Sequence, residues 1–368
     1  MGGGTVNMSS VTMSFSEWAE IYLKDYAALS CKPAALEHYE DNLRKHIIPE
    51  IGSMALSEIT TADIQAMLRK QELTGNLRDG GRLSAKSIRN MRTAASACFS
   101  KAVESGLISS NPVIGSVVHK ATRPNVDVME DESLCKLRDF ICTDGNLMNA
   151  GIILAAEFAL RRGEICALRW RDYDGVYLNI RETVKRLKDP HCDRSSPGSP
   201  RTHLVFNTVK TESSIRHLAV SPQNQMFLEA QRHRFFELFG RFPTPDDFIV
   251  FNSEGGITDP DNLSHYFSDL LNGLGLPHVK LHALRHTFAS RAIEMGIDID
   301  SVSGILGHSS ITTTSYYYLK PRQKSMNDAL WRISGTSSAA PSSLPCVIRG
   351  KQVKEHVSTR RKNFTGAA

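Results

Sequence analysis

Leu281-His282-Ala283-Leu284-Arg285-His286-Thr287-Phe288, then Leu306-Gly307-His308-Ser309, then Thr312-Thr313-Thr314-Ser315-Tyr316-Tyr317-Tyr318 form the stretch around which the chain is organised. It gathers histidine, arginine and tyrosine in one window and contains no Asp/Glu cluster or Cys pair suited to a metal. His282 and Arg285 lie three residues apart and so share one helix face. Leu284, Phe288 and Met295 fall on an adjacent face and are expected to pack inward, leaving the cation and the imidazole along one edge. A guanidinium can pair with two phosphate oxygens at once, and a tyrosine hydroxyl can act as a nucleophile. The window therefore suits attack on a phosphate ester. A His-x-x-Arg pair alone is a weak signal, so the remaining chain must supply context.

The chain has 368 residues, long for one domain and comfortable for two. Its hydrophobic fraction of 41% is ordinary for a protein with real cores. The net charge is +5. From Thr336 onward, Arg349, Lys351, Lys354, Arg360, Arg361 and Lys362 face only Glu355, so this tail alone carries +5. The body is near neutral, and a nucleic-acid surface there must be a local patch. Seven scattered cysteines without any Cys-x-x-Cys suggest reduced thiols and neither a disulfide frame nor a zinc site. No signal-peptide pattern and no run of about 18 apolar residues is present, so a cytoplasmic protein is expected, with no membrane partner.

Residues 1–13 read as a flexible Gly/Ser-rich start. Residues 14–112 read as a four-helix unit. Ser14 with Glu17 forms a capping box ahead of Phe15, Trp18 and Tyr22. A second stripe is Leu36, Tyr39, Leu43 and Ile47, closed by Pro49 and Gly52. A third helix starts near Thr60 with Asp63 in its first turn and runs to about Lys70. Ser84 opens a long helix with Ile88, Met91, Ala95, Phe99 and Ala102 inward, and Gly106 stops it. Lys86, Arg89, Arg92 and Lys101 lie off that stripe. Residues 113–127, bounded by Asn111-Pro112 and Pro124-Asn125, read as an interdomain linker.

Residues 128–333 are mixed. Helices are expected over 131–142, 146–160, 222–239, 259–273, 282–295, 299–306 and 312–319. Strands are expected at 176–180, 203–209 and 216–220, with a polar insertion over 188–201 between the first two. The fold class is thus mainly α with a small antiparallel sheet. Residues 334–368 read as a disordered basic tail. Two outlying features matter. Arg161-Arg162-Gly163-Glu164 follows an apolar helix, and an arginine there is costly unless paired, with Glu164 three residues on as the candidate partner. Lys210 ends one strand at what reads as a hairpin tip.

Together these pieces resemble the tyrosine recombinases, the phage-integrase family, over about 14–333. Arg161 falls on the first family arginine, in Leu160-Arg161-Arg162-Gly163-Glu164. Lys210 falls on the hairpin lysine, His282 and Arg285 on the His-x-x-Arg box, and Leu306-Gly307-His308 on the Leu-Gly-His box. The family nucleophile follows that last histidine by nine residues, which selects Tyr317 over its neighbours. Residues 14–112 resemble the family's helical core-binding (SAM-like) domain, with a closing Gly-Leu-Ile-x-x-Asn-Pro from Gly106 to Pro112. Three positions depart from the common pattern: Phe158-Ala159 stands where Thr-Gly is frequent, Ala283 where Asp is frequent, and Val209 where Pro is frequent.

The resemblance implies a reaction. Tyr317 attacks a DNA phosphodiester, forms a 3′-phosphotyrosyl link and frees a 5′-hydroxyl. Arg161, Arg285 and His308 hold the phosphate oxygens, Lys210 protonates the leaving oxygen, His282 serves as base or orienter, and Glu164 braces Arg161. The covalent link conserves bond energy, so no cofactor, metal or ATP is called for. The implied partners are double-stranded DNA carrying specific recombination sites, three further copies in a tetramer, and an accessory DNA-bending or directionality factor. Lys86, Arg89 and Arg92 become candidate DNA contacts. The apolar spacing of Met326, Leu330, Trp331 and Ile333 suggests docking on a neighbouring protomer. Competing readings are a DNA invertase or chromosome-dimer resolvase of the same family, a type IB topoisomerase relative, and a DNA-binding protein that has lost catalysis. Six reacting positions filled by competent residues argue against the last.

Overall fold

A computed structural model describes residues 13–120, 127–189, 201–208 and 215–308, together with 310, 312, 314 and 315. Its first part is helical. Ser14 caps α1 (Phe15–Ile21), its hydroxyl accepting from the Glu17 amide while the Glu17 carboxylate accepts from the Ser14 amide at 2.8 Å. The helix widens into a π turn (Tyr22–Ala27) and ends at Ala28–Ser30. The second helix, α2 (Pro33–Asn42), also widens (Leu43–Ile47) and continues through Pro49 to Ile51. Pro49 and Gly52 were expected to end it; Gly52 does cap it, whereas Pro49 lies inside the last turn. The widened turn just before it relieves the clash that a proline ring makes with the carbonyl four residues back. Thr60 and Asp63 form a capping box on α3 (Thr61–Thr74), and Ser84 caps α4 (Ala85–Glu104).

Phe15, Leu43, Ile47, Ile64 and Phe99 are fully buried in one core, with the Phe15 and Phe99 rings stacked 4.9 Å apart. The Trp18 indole donates to the Cys98 carbonyl at 3.1 Å, satisfying a polar atom that burial would otherwise penalise. This core extends past the expected boundary: Val113 is fully buried in it. Gln65 exchanges two hydrogen bonds with the Val117 backbone. The crossing chain is therefore fastened to the helical part as far as residue 117.

From Asp131 a second core forms. It is built by α5 (Asp131–Thr143), α6 (Asn149–Phe158), α7 (Arg162–Ala167), α8 (Pro222–Phe239), α9 (Pro260–Gly273) and α10 (His282–Glu294), with α11 (Ile299–Leu306) packed on its edge. Four short strands, β1 (Tyr177–Ile180), β2 (Glu182–Lys188), β3 (Thr202–Thr208) and β4 (Arg216–Ala219), pair as β1–β4 and β2–β3, both antiparallel. The class is the expected one, mainly α with small antiparallel sheets.

The strand count differs. β2 was not foreseen: its buried positions are Val184 and Leu187, three apart, and Lys185-Arg186 between them hides the alternation by which a strand is recognised. Consequently β3 and β4 are not the two arms of one hairpin. Each pairs with an earlier strand, and Lys210 falls in the connection between the two pairs, outside the described residues. The insertion over 190–200 joins β2 to β3 and also lies outside them.

Gly163 lets α7 lie close on β2, because a Cβ there would sit inside contact distance of the Val184 carbonyl and the Thr183 hydroxyl. At its far end β2 meets the helical part. Lys188 Nζ lies 2.6 Å from Asp41 and 3.5 Å from Glu37, both on α2. No helix among the described residues is long and apolar enough to cross a membrane.

Candidate active site

Arg161 precedes α7 directly, as its N-cap. Its backbone amide donates to Glu164 Oε2 at 2.9 Å and its Nη1 to Glu164 Oε1 at 2.7 Å. Its Nη2 donates to the Gly307 carbonyl at 2.9 Å. The brace expected between Arg161 and Glu164 is therefore present. Glu164 is only 2% exposed. Burial pushes its carboxyl upward, but hydrogen bonding and charge from Arg216, with the charge of Arg161, outweigh it and hold the pKa at about 2.

Arg285 is 1% exposed and is among the largest fully buried side chains. It was expected on an open edge, but the turn of α10 that carries it faces the ends of two other helices. Its Nη1 donates to the Ala159 carbonyl at 2.6 Å, and its Nη2 to the Leu306 carbonyl. Met295, expected inward, is 81% exposed because α10 stops at Glu294 and Met295 caps it at the surface.

The two guanidinium groups are thus seated on consecutive carbonyls, Leu306 and Gly307, at the C-terminus of α11. Carbonyls at a helix end have no intrahelical partner and carry the negative pole of the helix, so they suit a cation. Gly307 caps α11 in the left-handed conformation, which turns the chain toward His308. The only positive-φ residue among the described ones that is not glycine is Ala159 (φ 52°), at the end of α6. Its Cβ is fully buried beside Ala289, Ala292, Val302 and Leu306. Ala159→Val should cost about 2–5 kcal/mol, adding left-handed strain at a β-branched residue to overpacking, and thermal unfolding checks it.

His282 begins α10 and is an exposed residue. His286, one turn on, meets it edge to face, the ring centroids 4.7 Å apart. His308 Nδ1 bonds the hydroxyl of the fully buried Thr314 at 2.9 Å. Enclosure by protein, then neighbouring cations and imidazoles, lowers His282 to about 4 and His308 to about 4, and lowers His286 as well. His282 and His308 are therefore neutral at pH 7.

Because their folded pKa lies below the unfolded value near 6.5, the unfolded chain binds more protons between about pH 6.5 and pH 4. The part of the stability set by these histidines should fall as pH drops through that window and level off below it. A His282→Asn/His308→Asn variant should lose much of that slope in pH-dependent chemical denaturation. An unchanged slope would show that other groups set the acid response.

The structure brings Arg161, Glu164, His282, Arg285 and His308 together. Tyr317 and Lys210 lie outside the described residues, while 312, 314 and 315 are helical as expected. On α4, Lys86 and Arg89 are exposed. Arg92 differs: its Nε donates to Ser116 at 2.9 Å and its Nη2 to the Val113 and Ile114 carbonyls at 3.3 and 3.4 Å, so it clasps the chain leaving the helical part. Sequence reasoning missed Arg216, whose Nη2 lies 2.7 Å from Glu164 Oε2. The signal was available: Arg216 and Leu218 take the buried face of β4, and a strand that turns an arginine inward needs a partner for it.

Comparison with known proteins gives the family. Residues 128–324 match the model of the phage integrase family, and residues 14–70 that of the phage integrase N-terminal SAM-like domain. The chain belongs to the phage integrase family, and its activity is that of a tyrosine recombinase, site-specific recombination. A "Tyrosine recombinase XerC-like" protein of Caldanaerobacter subterraneus subsp. tengcongensis is 27% identical over 339 residues, 88% of this chain and 83% of the relative. The ICEBs1 integrase of Bacillus subtilis is 27% identical over 326 residues, 87% and 83% of the two chains. Among solved structures, the Tn1549 transposon integrase in complex with transposon right end DNA superposes with a TM-score of 0.69 at 18% identity. That match covers 88% of this chain and all of the other. A lambda integrase tetramer bound to a Holliday junction gives 0.61 at 20% identity, covering 85% and 80%.

Proposed function

We propose that this recombinase is the integrase of a phage or other mobile element. It acts in the cytoplasm on double-stranded DNA as a tetramer, with an accessory factor setting direction. The seating of two guanidinium groups on the adjacent carbonyls of Leu306 and Gly307, with His308 next in the chain, is the observation that carries the chemistry. Arg161 and Arg285 there hold the non-bridging oxygens of the scissile phosphate and stabilise the charge of the pentacoordinate transition state. A guanidinium has five N–H donors, so it can bind a carbonyl and a phosphate together. His308 adds a third hydrogen bond. Tyr317 attacks the phosphorus and the 5′-oxygen leaves with a proton from Lys210. The neutral state of His282 suits it to accept or orient the tyrosine proton. No metal or nucleotide is needed, because the phosphotyrosyl bond keeps the energy for rejoining.

Residues 14–112 and 128–333, joined across 113–127, then close on the duplex from opposite faces. Lys86 and Arg89 contact DNA, and Arg92 supports that surface from within its clasp. Phosphate contacts of this kind make binding fall with salt by a log–log slope near 0.9 per neutralised phosphate. Lys86→Ala/Arg89→Ala should reduce the slope by roughly 2 in a binding titration across salt concentrations.

A short direct repeat sought in the DNA flanking the gene, two copies of it placed on one plasmid, tests the integrase reading. Release of a circle by the purified protein supports it. Failure there, with resolution of chromosome-dimer sites instead, supports the second reading, which the XerC-like relative favours.

A further inference from the structure

We infer that Arg216 is a positioning residue for strand cleavage, holding Glu164 so that Glu164 can hold Arg161. The inference rests on Arg161 being a phosphate ligand. Glu164 stands between two arginines, its Oε1 taking Arg161 Nη1 at 2.7 Å and its Oε2 taking Arg216 Nη2 at 2.7 Å, with Arg216 Nη1 3.3 Å from Oε1. Glu164 and Arg216 are almost wholly enclosed, at 2% and 6% exposure, whereas the Arg161 side chain is 36% exposed and faces the site. One arginine is thus structural and the other available to substrate, with a single carboxylate tying them together.

The arrangement solves a physical problem. A lone Arg161–Glu164 pair would cancel much of the positive charge that the phosphate needs. It would also leave the second carboxylate oxygen with only the Arg161 backbone amide as donor in a buried place, where an ion without full compensation is costly. Arg216 supplies the missing charge, so the trio carries a net positive charge toward the phosphate. Its planar fork spans both oxygens and fixes the carboxylate plane, hence the direction in which Arg161 projects. The connection is also topological: β4 delivers Arg216, α7 delivers Glu164 and Arg161, and the residues just before β4 include Lys210.

Arg216 touches no substrate in this scheme, so its effect must be read through Glu164. The experiment measures single-turnover adduct formation on a nicked DNA substrate from about pH 5 to pH 8, with DNA affinity and thermal unfolding alongside. Arg216→Met should lower the rate at neutral pH by about 100-fold, the scale of a displaced catalytic group, with DNA affinity little changed. It should also add a limb of falling rate toward acid that the native enzyme lacks, because Glu164 loses its main ionising partner and protonates more readily. Arg216→Lys should recover part of the rate with a smaller limb. In Arg216→Met/Glu164→Gln the added limb should vanish, since no carboxyl remains to titrate.

A native rate and pH profile in folded Arg216→Met overturns the inference. So does an acid limb that persists in the double variant. If Arg216→Met does not fold, Arg216→Lys carries the same test, and a native profile there overturns it equally. Arg161→Ala separates the two levels: if it cleaves at the native rate, the phosphate-ligand reading of Arg161 fails. If it is inactive while the Arg216 variants behave as native, only the positioning role fails.

Discussion

Tyr317→Phe should abolish covalent capture of DNA while leaving binding intact, the largest single effect expected in this chain. Phenylalanine keeps the ring and removes only the attacking oxygen, so affinity, which rests on phosphate contacts elsewhere, should be unchanged. Losing a nucleophile in a machine of this kind costs on the order of 10⁴-fold or more, with residual rate set by the groups that still bind the transition state. The measurement is denaturing electrophoresis after incubation with a nicked recombination site, where an active enzyme stays attached through a 3′-phosphotyrosyl bond. Tyr316→Phe and Tyr318→Phe serve as internal controls and should still form the adduct. An adduct in Tyr317→Phe, or its loss in either neighbour alone, would show that the nine-residue spacing from His308 selects the wrong tyrosine.

Arg285→Ala should lose both activity and stability, and this separates it from Arg161→Ala. In the proposed mechanism each substitution removes one guanidinium from the phosphate, and it should slow cleavage by about 100- to 1000-fold. The folding consequences differ because the burial differs. Arg285 is 1% exposed and satisfies the carbonyls of Ala159 and Leu306. Its removal leaves those carbonyls dry and opens a cavity, costing about 2–5 kcal/mol, or roughly 5–15 °C in thermal midpoint for a domain of this size. The Arg161 side chain is 36% exposed, and Glu164 keeps Arg216 when Arg161 is gone, so Arg161→Ala should unfold within about 1 kcal/mol of native. Equal losses of stability in the two variants would contradict the seating described above.

Much of this was legible in the sequence, for identifiable reasons. Capping signals are local, so Ser14, Thr60 and Ser84 each marked a helix start. The stripes through Phe15, Leu43 and Phe99 marked a core because helical periodicity survives without knowledge of partners. The five candidate residues that the structure brings together were picked out by their resemblance to family motifs, whose order a linear string preserves. What escaped was non-local. Strand β2 hid behind adjacent charges, and the pairing of β4 with β1 rather than β3 depends on sheet register, which no short window encodes. The carbonyls of Ala159, Leu306 and Gly307 carry no sequence signal, since every residue has one, and only the fold turns them into ligands for arginine. Arg216 lay in plain view but was read as a strand residue, because its partner is 52 positions away.

The shared seat at the end of α11 has a mechanical consequence. Leu306 and Gly307 anchor the two guanidinium groups, His308 follows at once, and the segment that carries Tyr317 begins a few residues later. In the proposed mechanism the grip on the phosphate and the chain leading to the attacking tyrosine therefore share one anchor point. A substitution that shifts this anchor should therefore weaken the hold on the phosphate and the delivery of the nucleophile together. Damage at Gly307 and damage at Arg161 should not multiply in rate, since each loosens the same contact.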